Sequence, residues 1–300
     1  MPAEFSSLPI LDPAHSSVPA AEFGFQASDF ERVRDLLYRR AGIRLHDDRQ
    51  HMAYTRLIRR VRVVGCSSFK DYLDQLQNPA ALEWEHFINA LTTNLTSFYR
   101  EPHHFELLKS FFQARAETAR QRPIHIWCCA AATGEEPYTI AFTALEAFGA
   151  PDTPVRILAT DIDTHVLEIA QQGMYTDEQV KRIDPDRVAR YFVHAAERPG
   201  QHQVCEAARQ LVGFRPLNLR ADEWSIRGGF DLVFCRNVLI YFDLETQTRL
   251  LQRVAQLLNP GGLLFVGHAE KLSKLAVPFR LLDKTVYEVL PQPGRDAVGR

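Results

Sequence analysis

The chain lacks the cysteine patterns that mark disulfide scaffolds and zinc proteins. It has five cysteines in 300 residues, none in C-x-x-C spacing and none grouped with histidine at zinc-site spacing. The number is odd, and three of the five lie in apolar runs, which is typical of reduced, buried thiols. No basic stretch followed by an apolar stretch opens the sequence as in a secretory signal. We therefore expect no metal and a cytoplasmic location.

Long apolar runs and a surplus of charge are also lacking. No uninterrupted apolar run approaches the roughly 20 residues that a membrane-spanning helix needs. The formal net charge is −2, so the chain as a whole has no positive surplus to attract nucleic acid or an anionic membrane. We expect neither a nucleic-acid partner nor insertion into a membrane.

The dinucleotide fingerprint G-x-G-x-x-G is absent where a nucleotide-binding turn would be expected. The stretch His125–Ile140, HIWCCAAATGEEPYTI, has instead an apolar run, small residues and then Glu135, Glu136 and Pro137. This order predicts a buried strand, a tight turn and the start of a helix, which is where a doubly wound sheet binds nucleotide-like ligands. Two acids disfavour a pyrophosphate and favour a ligand with positive charge or ribose hydroxyls. The alternative is an ordinary helix start.

The rest of the chain divides by composition and periodicity. Residues 1–25 contain four prolines and few charges and are expected to form a mobile tail, with a second tail at 293–300. Residues 26–92 predict a small helical domain, and residues 93–121 a polar, aromatic linker and a helix. From 122 to 292 strands alternate with helices, which indicates a mostly parallel α/β sheet. The alternation lapses at about 174–213, which suggests an insertion.

The predicted elements of the alternating part have definite bounds. The strand candidates are Ile124–Ala130, Val155–Thr160, Phe214–Leu217, Phe230–Cys235, Gly262–Gly267 and Thr285–Leu290. The helix candidates are Pro137–Phe148, Thr164–Gln172 and Leu244–Leu258.

The helical domain is rich in arginine. Between Ser28 and Val64 there are ten arginines and five acids, and several of the arginines lie on the helix predicted at Asp47–Val64. A basic face on a chain of near-neutral charge suggests an acidic macromolecular partner. The alternative, a solvated helix face, is the more common outcome for such a pattern.

Polar residues follow the predicted strands, and the carboxyl ends of parallel strands are where ligands bind. Asp161 ends the second strand, where a carboxylate accepts hydrogen bonds from ribose hydroxyls; Asp163 is better explained as a helix cap. Asn218 follows the third strand, and its amide offers both a donor and an acceptor to an adenine edge, the alternative being a loop asparagine. Arg236 and Asn237 follow the fourth, in FDLVFCRNVLIYFD, where a polar pair has few structural uses.

Taken together, these residues resemble the S-adenosylmethionine-dependent methyltransferases of bacterial chemotaxis receptors, the CheR family. The matching stretches are LTTNLTSFYREPHHF, AAATGEEPYTIA, ILATDIDTHVLEIAQQGMY, FRPLNL and FDLVFCRNVLIYFD. They occur in order after a basic helical domain, and the resemblance covers nearly everything from Ser28 to Leu290. The resemblance implies an N-terminal helical domain that contacts receptors, a Rossmann-like, doubly wound methyltransferase sheet, and an inserted small antiparallel β subdomain.

The resemblance also implies an activity and a set of residues. Family members transfer a methyl group from S-adenosylmethionine to glutamate carboxylates on the cytoplasmic helical bundle of methyl-accepting receptors, releasing S-adenosylhomocysteine, for sensory adaptation. Glu135 is preferred to Glu136 because it is nearer the strand end. Matched by motif, the cofactor contacts are Asn94, Thr96, Arg100, Glu135, Asp161, Asn218, Leu219, Arg236 and Asn237.

Arg100 and Tyr241 are the candidate catalytic residues. A glutamate substrate is already ionised near neutral pH, so no general base is needed, and orientation becomes the main task. Arg100 can orient the carboxylate through paired N–H donors. Tyr241 can donate its hydroxyl and shield the methyl group from water. His103 and His104 are interpreted as structural or interface residues.

Some family members also bind a pentapeptide at the receptor C-terminus through a glycine-rich loop of the β subdomain. The corresponding stretch here, residues 194–204, has one glycine, Gly200, which puts tethered docking in doubt. Two other functions are alternatives: a methyltransferase with another substrate, such as an amino-methylating DNA enzyme, and a methyltransferase fold used as an adaptor. The lack of an N-P-P-Y-like motif argues against the DNA enzyme. The full set of polar strand-end residues argues against the adaptor.

Overall fold

The computed structural model describes residues 23–149, 153–195 and 198–291. Apart from residues 23–25, the predicted tails at 1–25 and 293–300 lie outside the described residues. The predicted fold class is confirmed: a small all-helical unit precedes a mostly parallel sheet that carries a small antiparallel sheet in an insertion. Within the described residues, no helix is long and apolar enough to cross a membrane.

The first unit is a compact set of helices with its own core. The helices are α1 (Ala27–Ala41), α2 (Gln50–Val64), α3 (Phe69–Gln75) and α4 (Glu83–Leu91). Apolar residues at helical spacing on each of them, such as Val33, Leu37 and Leu57, are fully buried in one cluster. The first helix begins with a capping box: Gln26 is its N-cap and accepts from the third helical residue, while Asp29 accepts from the Gln26 N–H at 3.0 Å.

The second unit is built on a central sheet. Helices α5 (His103–Ala114) and α6 (Ala116–Ala119) lead into it. Among the described residues the main sheet has seven strands in the order β6-β2-β1-β7-β8-β10-β9. These strands are β1 (Ile124–Cys128), β2 (Val155–Asp161), β6 (Val212–Pro216), β7 (Phe230–Cys235), β8 (Leu258–Val266), β9 (Phe279–Asp283) and β10 (Val286–Val289).

The central strands are buried on both faces, as expected for a parallel sheet covered by helices. Ile126 and Cys128 of β1 belong to the core under α5 and α7 (Glu135–Phe148), whereas Trp127 points into the opposite core under α12 (Leu244–Leu257). The chain turns from β1 to β2 on one side and returns to β7 on the other, so β1 and β7 are parallel neighbours. The ligand crevice of such a sheet lies at this reversal of strand order.

The insertion contains short helices and a three-stranded antiparallel sheet of order β3-β5-β4. Its strands and helices are β3 (Met174–Thr176), α9 (Asp177–Val180), α10 (Pro185–Tyr191), β4 (Phe192–His194), β5 (Gln201–Val204) and α11 (Glu206–Arg209). It is preceded by α8 (Thr164–Gln172), which Asp163 caps by accepting from the His165 and Val166 N–H groups. Asp163 is therefore the helix cap that the sequence predicted.

Candidate functional site

A cavity of about 380 Å³ opens at the carboxyl ends of the parallel strands, between the sheet and the helical unit. Residues after β1, β2, β6 and β7 line it, together with the segment that joins α1 to α2 and the segment that follows α4. Its size is in the range of small-molecule sites. Nine of the ten predicted site residues line this one cavity: Asn94, Thr96, Arg100, Asp161, Asn218, Leu219, Arg236, Asn237 and Tyr241.

Glu135 is the exception, because Glu136 lines the cavity and Glu135 does not. The Glu135 carboxylate turns away and accepts from the Thr133 hydroxyl at 2.6 Å and from the Gln179 amide at 3.2 Å. Burial raises its pKa, and these hydrogen bonds oppose the rise. One helical position later, the side chain of Glu136 points towards β7 and the cavity. The sequence analysis assigned the ligand contact to Glu135, whereas the next residue, Glu136, lines the cavity.

The turn after β1 brings the backbone close to the cavity. Gly134 precedes α7 with φ +97°, and a Cβ there would lie 2.7 Å from the Tyr175 hydroxyl oxygen and 2.9 Å from Cβ of Ala170. Only glycine fits this conformation and this space. Ala132 also has a positive φ, 45°, and its N–H donates to the carboxylate of Asp161 at 2.9 Å. The turn is therefore locked to the end of the second strand.

Asp161 is a buried carboxylate at the wall of the cavity. Its two oxygens accept from the Ala132 and Asp163 N–H groups at 2.9 and 3.0 Å. Burial raises the pKa of Asp161 to about 6, against the opposing effect of these N–H donors. A carboxylate held in this way retains lone pairs for the hydroxyl groups of a ligand.

Arg236 joins the ends of β1 and β7. Its side chain is fully buried and donates to the Glu136 carboxylate at 2.5 Å and to the Arg100 carbonyl at 2.6 Å. A second carboxylate, Glu101, lies 3.4 Å from the same guanidinium. Burial works to raise the pKa of Glu101, but Arg236 and hydrogen bonds from His268 outweigh it and hold the pKa at about 2. The cation is thus compensated by two acids, which a buried charge requires.

Asn237 follows Arg236 in a left-handed conformation, φ +58°, which is uncommon outside glycine. Its N–H donates to the carboxylate of Glu270 at 2.9 Å, and the same carboxylate accepts from the Leu239 and Gly267 N–H groups. Glu270 is buried and was not singled out in the sequence, where it stands alone in the stretch HAEK. No local pattern marks it, because two of the three N–H groups that it binds, those of Asn237 and Leu239, are about thirty residues earlier in the chain.

The segment after α4 forms another side of the cavity. The Asn94 amide donates to Asp163 at 2.8 Å, and the Thr92 hydroxyl donates to the same carboxylate at 2.6 Å. Arg100 donates to the carbonyl of Leu95 at 2.9 Å, which closes the segment into a loop. One N–H edge of Arg100 is engaged in this bond, and the guanidinium still lines the cavity.

The helical unit and the sheet unit share the wall through direct hydrogen bonds. The Asn218 amide donates to the carbonyl of Arg40 at 2.8 Å, and the Arg44 N–H donates to the carbonyl of Tyr241 at 3.0 Å. Near them the Tyr38 hydroxyl donates to Asp243 at 2.5 Å. One N–H of the Asn218 amide therefore links the two units, and the other can donate to a ligand.

A histidine pair lies beside the cavity without lining it. His104 is fully buried, and its Nε2 is 2.8 Å from the Thr285 hydroxyl; burial lowers its pKa to about 3, helped by the nearby Arg236. Ligand atoms of His103, His104 and Glu101 lie within 4.8 Å of one another. The guanidinium beside Glu101 opposes a cation there. His104 is therefore a structural residue, in agreement with the sequence interpretation.

The arginines of the helical unit are largely paired within the protein. Six of them lie within 4.0 Å of acid side chains: Arg32, Arg34, Arg39, Arg44, Arg49 and Arg60. Arg44 and Arg49 also line the cavity. Arg59 and Arg62 are exposed on α2. Part of the positive surplus counted in the sequence is thus compensated within the protein.

Chemically, the cavity combines a carboxylate for hydroxyl donors, an ion-paired arginine, amide groups and small residues at a sheet edge. This set suits a ligand with a sugar, a polar head and a face that packs on backbone. Nothing in the lining resembles a nucleophile held by a general base. The arrangement favours binding and orientation of two reactants over activation of a protein side chain.

Comparison with known proteins adds to this geometry. The family model described as CheR methyltransferase, all-alpha domain, matches residues 28–92, and the one described as CheR methyltransferase, SAM binding domain, matches residues 94–288. Chemotaxis protein methyltransferase 2 of Pseudomonas aeruginosa is 46% identical over 267 residues, which cover 89% of this chain and 94% of that protein.

Two further relatives are similar over the same extent. Chemotaxis protein methyltransferase of Klebsiella aerogenes is 48% identical over 265 residues, 86% of this chain and 88% of that protein. Its namesake in Escherichia coli K12 is 45% identical over 263 residues, 86% of this chain and 89% of that protein. Together the two family models span the helical unit and nearly all of the sheet unit.

Proposed function

Because the chain belongs to the CheR family of S-adenosylmethionine-dependent methyltransferases, we propose that it methylates chemotaxis receptors for sensory adaptation and that this cavity is the active site. The enzyme takes S-adenosylmethionine as methyl donor, releases S-adenosylhomocysteine and esterifies glutamate carboxylates of methyl-accepting receptors. The observation that carries the proposal is the convergence of the strand-end side chains on one cavity of about 380 Å³. They include Asp161, the ion-paired Arg236, and Asn237.

We assign the cofactor to the strand-end side of this cavity. Asp161 accepts from the ribose hydroxyls, as acids at this position of a doubly wound sheet do. Asn218 and Leu219 flank the base, with the free N–H of the Asn218 amide available to it. Arg236 and Asn237 line the methionine end. The residues assigned to the cofactor are Asn94, Thr96, Arg100, Asp161, Asn218, Leu219, Arg236 and Asn237, with Glu136 taking the place that the sequence gave to Glu135.

The reaction needs a nucleophile and a line of attack. The substrate carboxylate is ionised near neutral pH, since the pKa of an unperturbed glutamate is about 4.3. One of its oxygens attacks the methyl carbon while the carbon–sulfur bond breaks, which leaves a methyl ester and a neutral thioether. No proton has to be removed, so the cavity has no need of a general base. Its tasks are alignment and the exclusion of water.

Arg100 and Tyr241 perform those tasks in this proposal. The Arg100 guanidinium is held by the carbonyl of Leu95, and its remaining N–H groups are free to bind the substrate carboxylate. A tight bidentate grip would weaken the nucleophile, so we give Arg100 orientation rather than activation. Tyr241 is half-buried in the wall, and its ring shields the methyl group from water.

The receptor partner is assigned to the helical unit. We infer that residues 26–92 contact the receptor's helical bundle in the cytoplasm, with Arg59 of α2 exposed towards its acidic side chains. Arg44 and Arg49 extend the same charge to the mouth of the cavity. The stretch 194–204, with its single glycine, gives little support for docking of a receptor pentapeptide.

The proposal is tested by transfer of labelled methyl from S-adenosylmethionine to receptor-containing membranes. We expect labelled receptor whose label is released by mild alkali, as a carboxyl methyl ester is. Arg100→Ala is expected to lower the rate about a hundredfold, because an unaligned carboxylate loses the advantage of orientation. Arg215→Ala is the matched control, since Arg215 is exposed on β6 and lies outside the cavity wall.

Two results would count against the proposal. Alkali-stable label would mean that another residue type is methylated. Absence of label, with S-adenosylhomocysteine still bound, would point to a different substrate or to an adaptor.

A further inference from the structure

Glu270 occupies an unusual place for an acid. It lies just after β8, in the turn that Gly267 begins, and only 4% of its surface is exposed. Its Oε2 accepts from the Asn237 N–H at 2.9 Å and from the Gly267 N–H at 2.6 Å, and its Oε1 accepts from the Leu239 N–H at 2.7 Å. One side chain thus binds the loop after β7 to the turn after β8.

The groups that face Glu270 are main-chain amides. Burial raises its pKa, and hydrogen bonds from the Gly267, Asn237 and Leu239 N–H groups oppose the rise. A buried carboxylate costs free energy unless its charge is compensated, and here convergent N–H dipoles supply the compensation. A side chain that served only to fill the core would be apolar at this position, so the charge has a specific geometric use.

That use is visible in the backbone that Glu270 holds. Asn237 has φ +58°, a conformation that a non-glycine residue keeps only when its surroundings enforce it. Gly267 has no room for a side chain, because a Cβ there would collide with the Asn237 amide and lie 2.9 Å from Oε2 of Glu270. The two loops are therefore packed as closely as their backbones allow, with the carboxylate between them.

The loop that Glu270 holds is the one that carries the proposed methyl-transfer groups. Arg236 and Asn237 begin it, and the short helical turn Leu239–Tyr241 ends it, with Asn237 and Tyr241 in the cavity wall. Glu270 itself does not line the cavity. It binds the backbone N–H groups of Asn237 and Leu239, which lie on either side of Val238 within this loop.

We propose that Glu270 is a positioning residue for methyl transfer: its carboxylate sets the backbone of the loop 236–241 and, through it, the places of Asn237 and Tyr241. This rests on the function proposed above. Its physical basis is that three N–H donors bind both oxygens of the carboxylate, two of them at Oε2 and one at Oε1. Glu270→Gln keeps the shape but turns one branch into an N–H donor that faces other donors, so the loop must shift.

The first experiment measures Glu270→Gln at a temperature where all variants are folded. We expect the dissociation constant of S-adenosylhomocysteine to rise about threefold or more and kcat to fall about tenfold or more, since displacements near 1 Å can cost on the order of a hundredfold. The KM for receptor is expected to stay within about twofold, because the proposed receptor contacts are on the helical unit.

Glu146→Gln is the matched control. Glu146 is also a largely buried acid, but it pairs with Arg187 at 2.8 Å and Lys109 at 3.6 Å, away from the cavity. Its loss is expected to lower stability and leave kcat and the dissociation constant unchanged. Wild-type kcat and ligand affinity in Glu270→Gln would overturn the proposal. An equal loss of kcat in Glu146→Gln would also overturn it, by showing that destabilisation alone produces the effect.

Gly267→Ala approaches the same loop without changing Glu270 and serves if Glu270→Gln does not fold. The added methyl pushes on Asn237, so the same split between kcat and receptor KM is expected. Gly213→Ala in β6 is its control, because a Cβ there would meet only the Ile157 carbonyl oxygen, at 4.0 Å. If wild-type enzyme labels no receptor, the proposed function fails, while the S-adenosylhomocysteine affinities of the variants still decide whether Glu270 positions the loop.

Discussion

Asp161 makes the affinity for the cofactor depend on pH in a way that can be worked out. The pKa of its carboxyl is raised to about 6 by burial in the ligand-free protein. In the proposed complex the ionised carboxylate accepts from ribose hydroxyls, whereas the protonated form offers a donor where donors already face it. Binding therefore selects the ionised form. Full affinity is expected above pH 6, with loss as the pH falls through 6.

The size of the effect follows from the pKa. If only the ionised form binds, the dissociation constant is multiplied by one plus the ratio of protonated to ionised carboxyl. At pH 5 that ratio is about 10, so the dissociation constant of S-adenosylhomocysteine should be about tenfold higher than at pH 8, or about 1.4 kcal/mol. Below pH 5 the slope approaches one decade per pH unit.

Stability does not confound this window. A raised pKa in the folded state means that Asp161 lowers stability above pH 6, and this penalty disappears as the pH falls. Glu101 has the opposite sign: its pKa of about 2 contributes stability that is present above its ordinary value of 4.5 and is lost only as the pH falls below that value. Lowering the pH from 8 to 5 therefore removes no stability through either group.

The assay is isothermal titration of S-adenosylhomocysteine at half-unit steps from pH 8 to 5, at constant ionic strength, with circular dichroism as a check of folding. Asp161→Asn should bind more weakly at pH 8 and lose the acid limb. His46 also lines the cavity, so His46→Gln is the control and should keep the limb. An affinity independent of pH, or an unchanged limb in Asp161→Asn, would refute the reasoning.

Two further predictions concern the cavity wall. Arg236→Met is expected to lower the free energy of unfolding by about 3–5 kcal/mol, because it leaves the carboxylates of Glu136 and Glu101 largely buried without their cation. Urea denaturation measures this, and a loss below about 1 kcal/mol would contradict it. Gly134→Ala should cost about 2 kcal/mol more than Gly65→Ala, since both have a positive φ but only the first collides with Tyr175; equal losses in thermal denaturation would show that the turn has room.

Strong local signals in the sequence located several elements with correct bounds. The strand predicted at Phe230–Cys235 and the helix predicted at Thr164–Gln172 agree with β7 and α8 at both ends. The strand is a continuous apolar run, and the helix has a capping Asp163 and a terminating Gly173 with φ +61°. Signals of this kind act within a few residues, so the chain itself contains them.

Elements without such signals were missed or shortened. β9 (Phe279–Asp283) was not predicted, because it is an edge strand without alternating burial: its adjacent residues Leu281 and Leu282 are both exposed. β8 begins at Leu258 and includes the Asn-Pro-Gly residues 259–261, whereas the strand predicted there begins at Gly262. Pairing with β7, which shifts register between Phe230 and Leu232, accommodates that irregular start.

The residues of the cavity also divide into those that the sequence predicts and those that it does not. Its polar strand ends could be gathered from the sequence because parallel strands deliver their carboxyl ends to one edge. The choice between Glu135 and Glu136 could not, since it depends on the rotation of α7 relative to Arg236, a residue one hundred positions later. Glu270 could not be found either, because the loop that it holds is about thirty residues earlier in the chain and a single acid forms no pattern.

The wall shared by the helical unit and the sheet unit gives the cofactor a second effect. A ligand that contacts both units binds only when they are docked, so its binding free energy adds to the hydrogen bonds from Asn218 to Arg40 and from Arg44 to Tyr241. At a free concentration one hundred times its dissociation constant, this adds about 2.7 kcal/mol. The supply of methyl donor therefore also governs how firmly the helical unit is held to the sheet unit, and the two units are docked less firmly when donor is scarce.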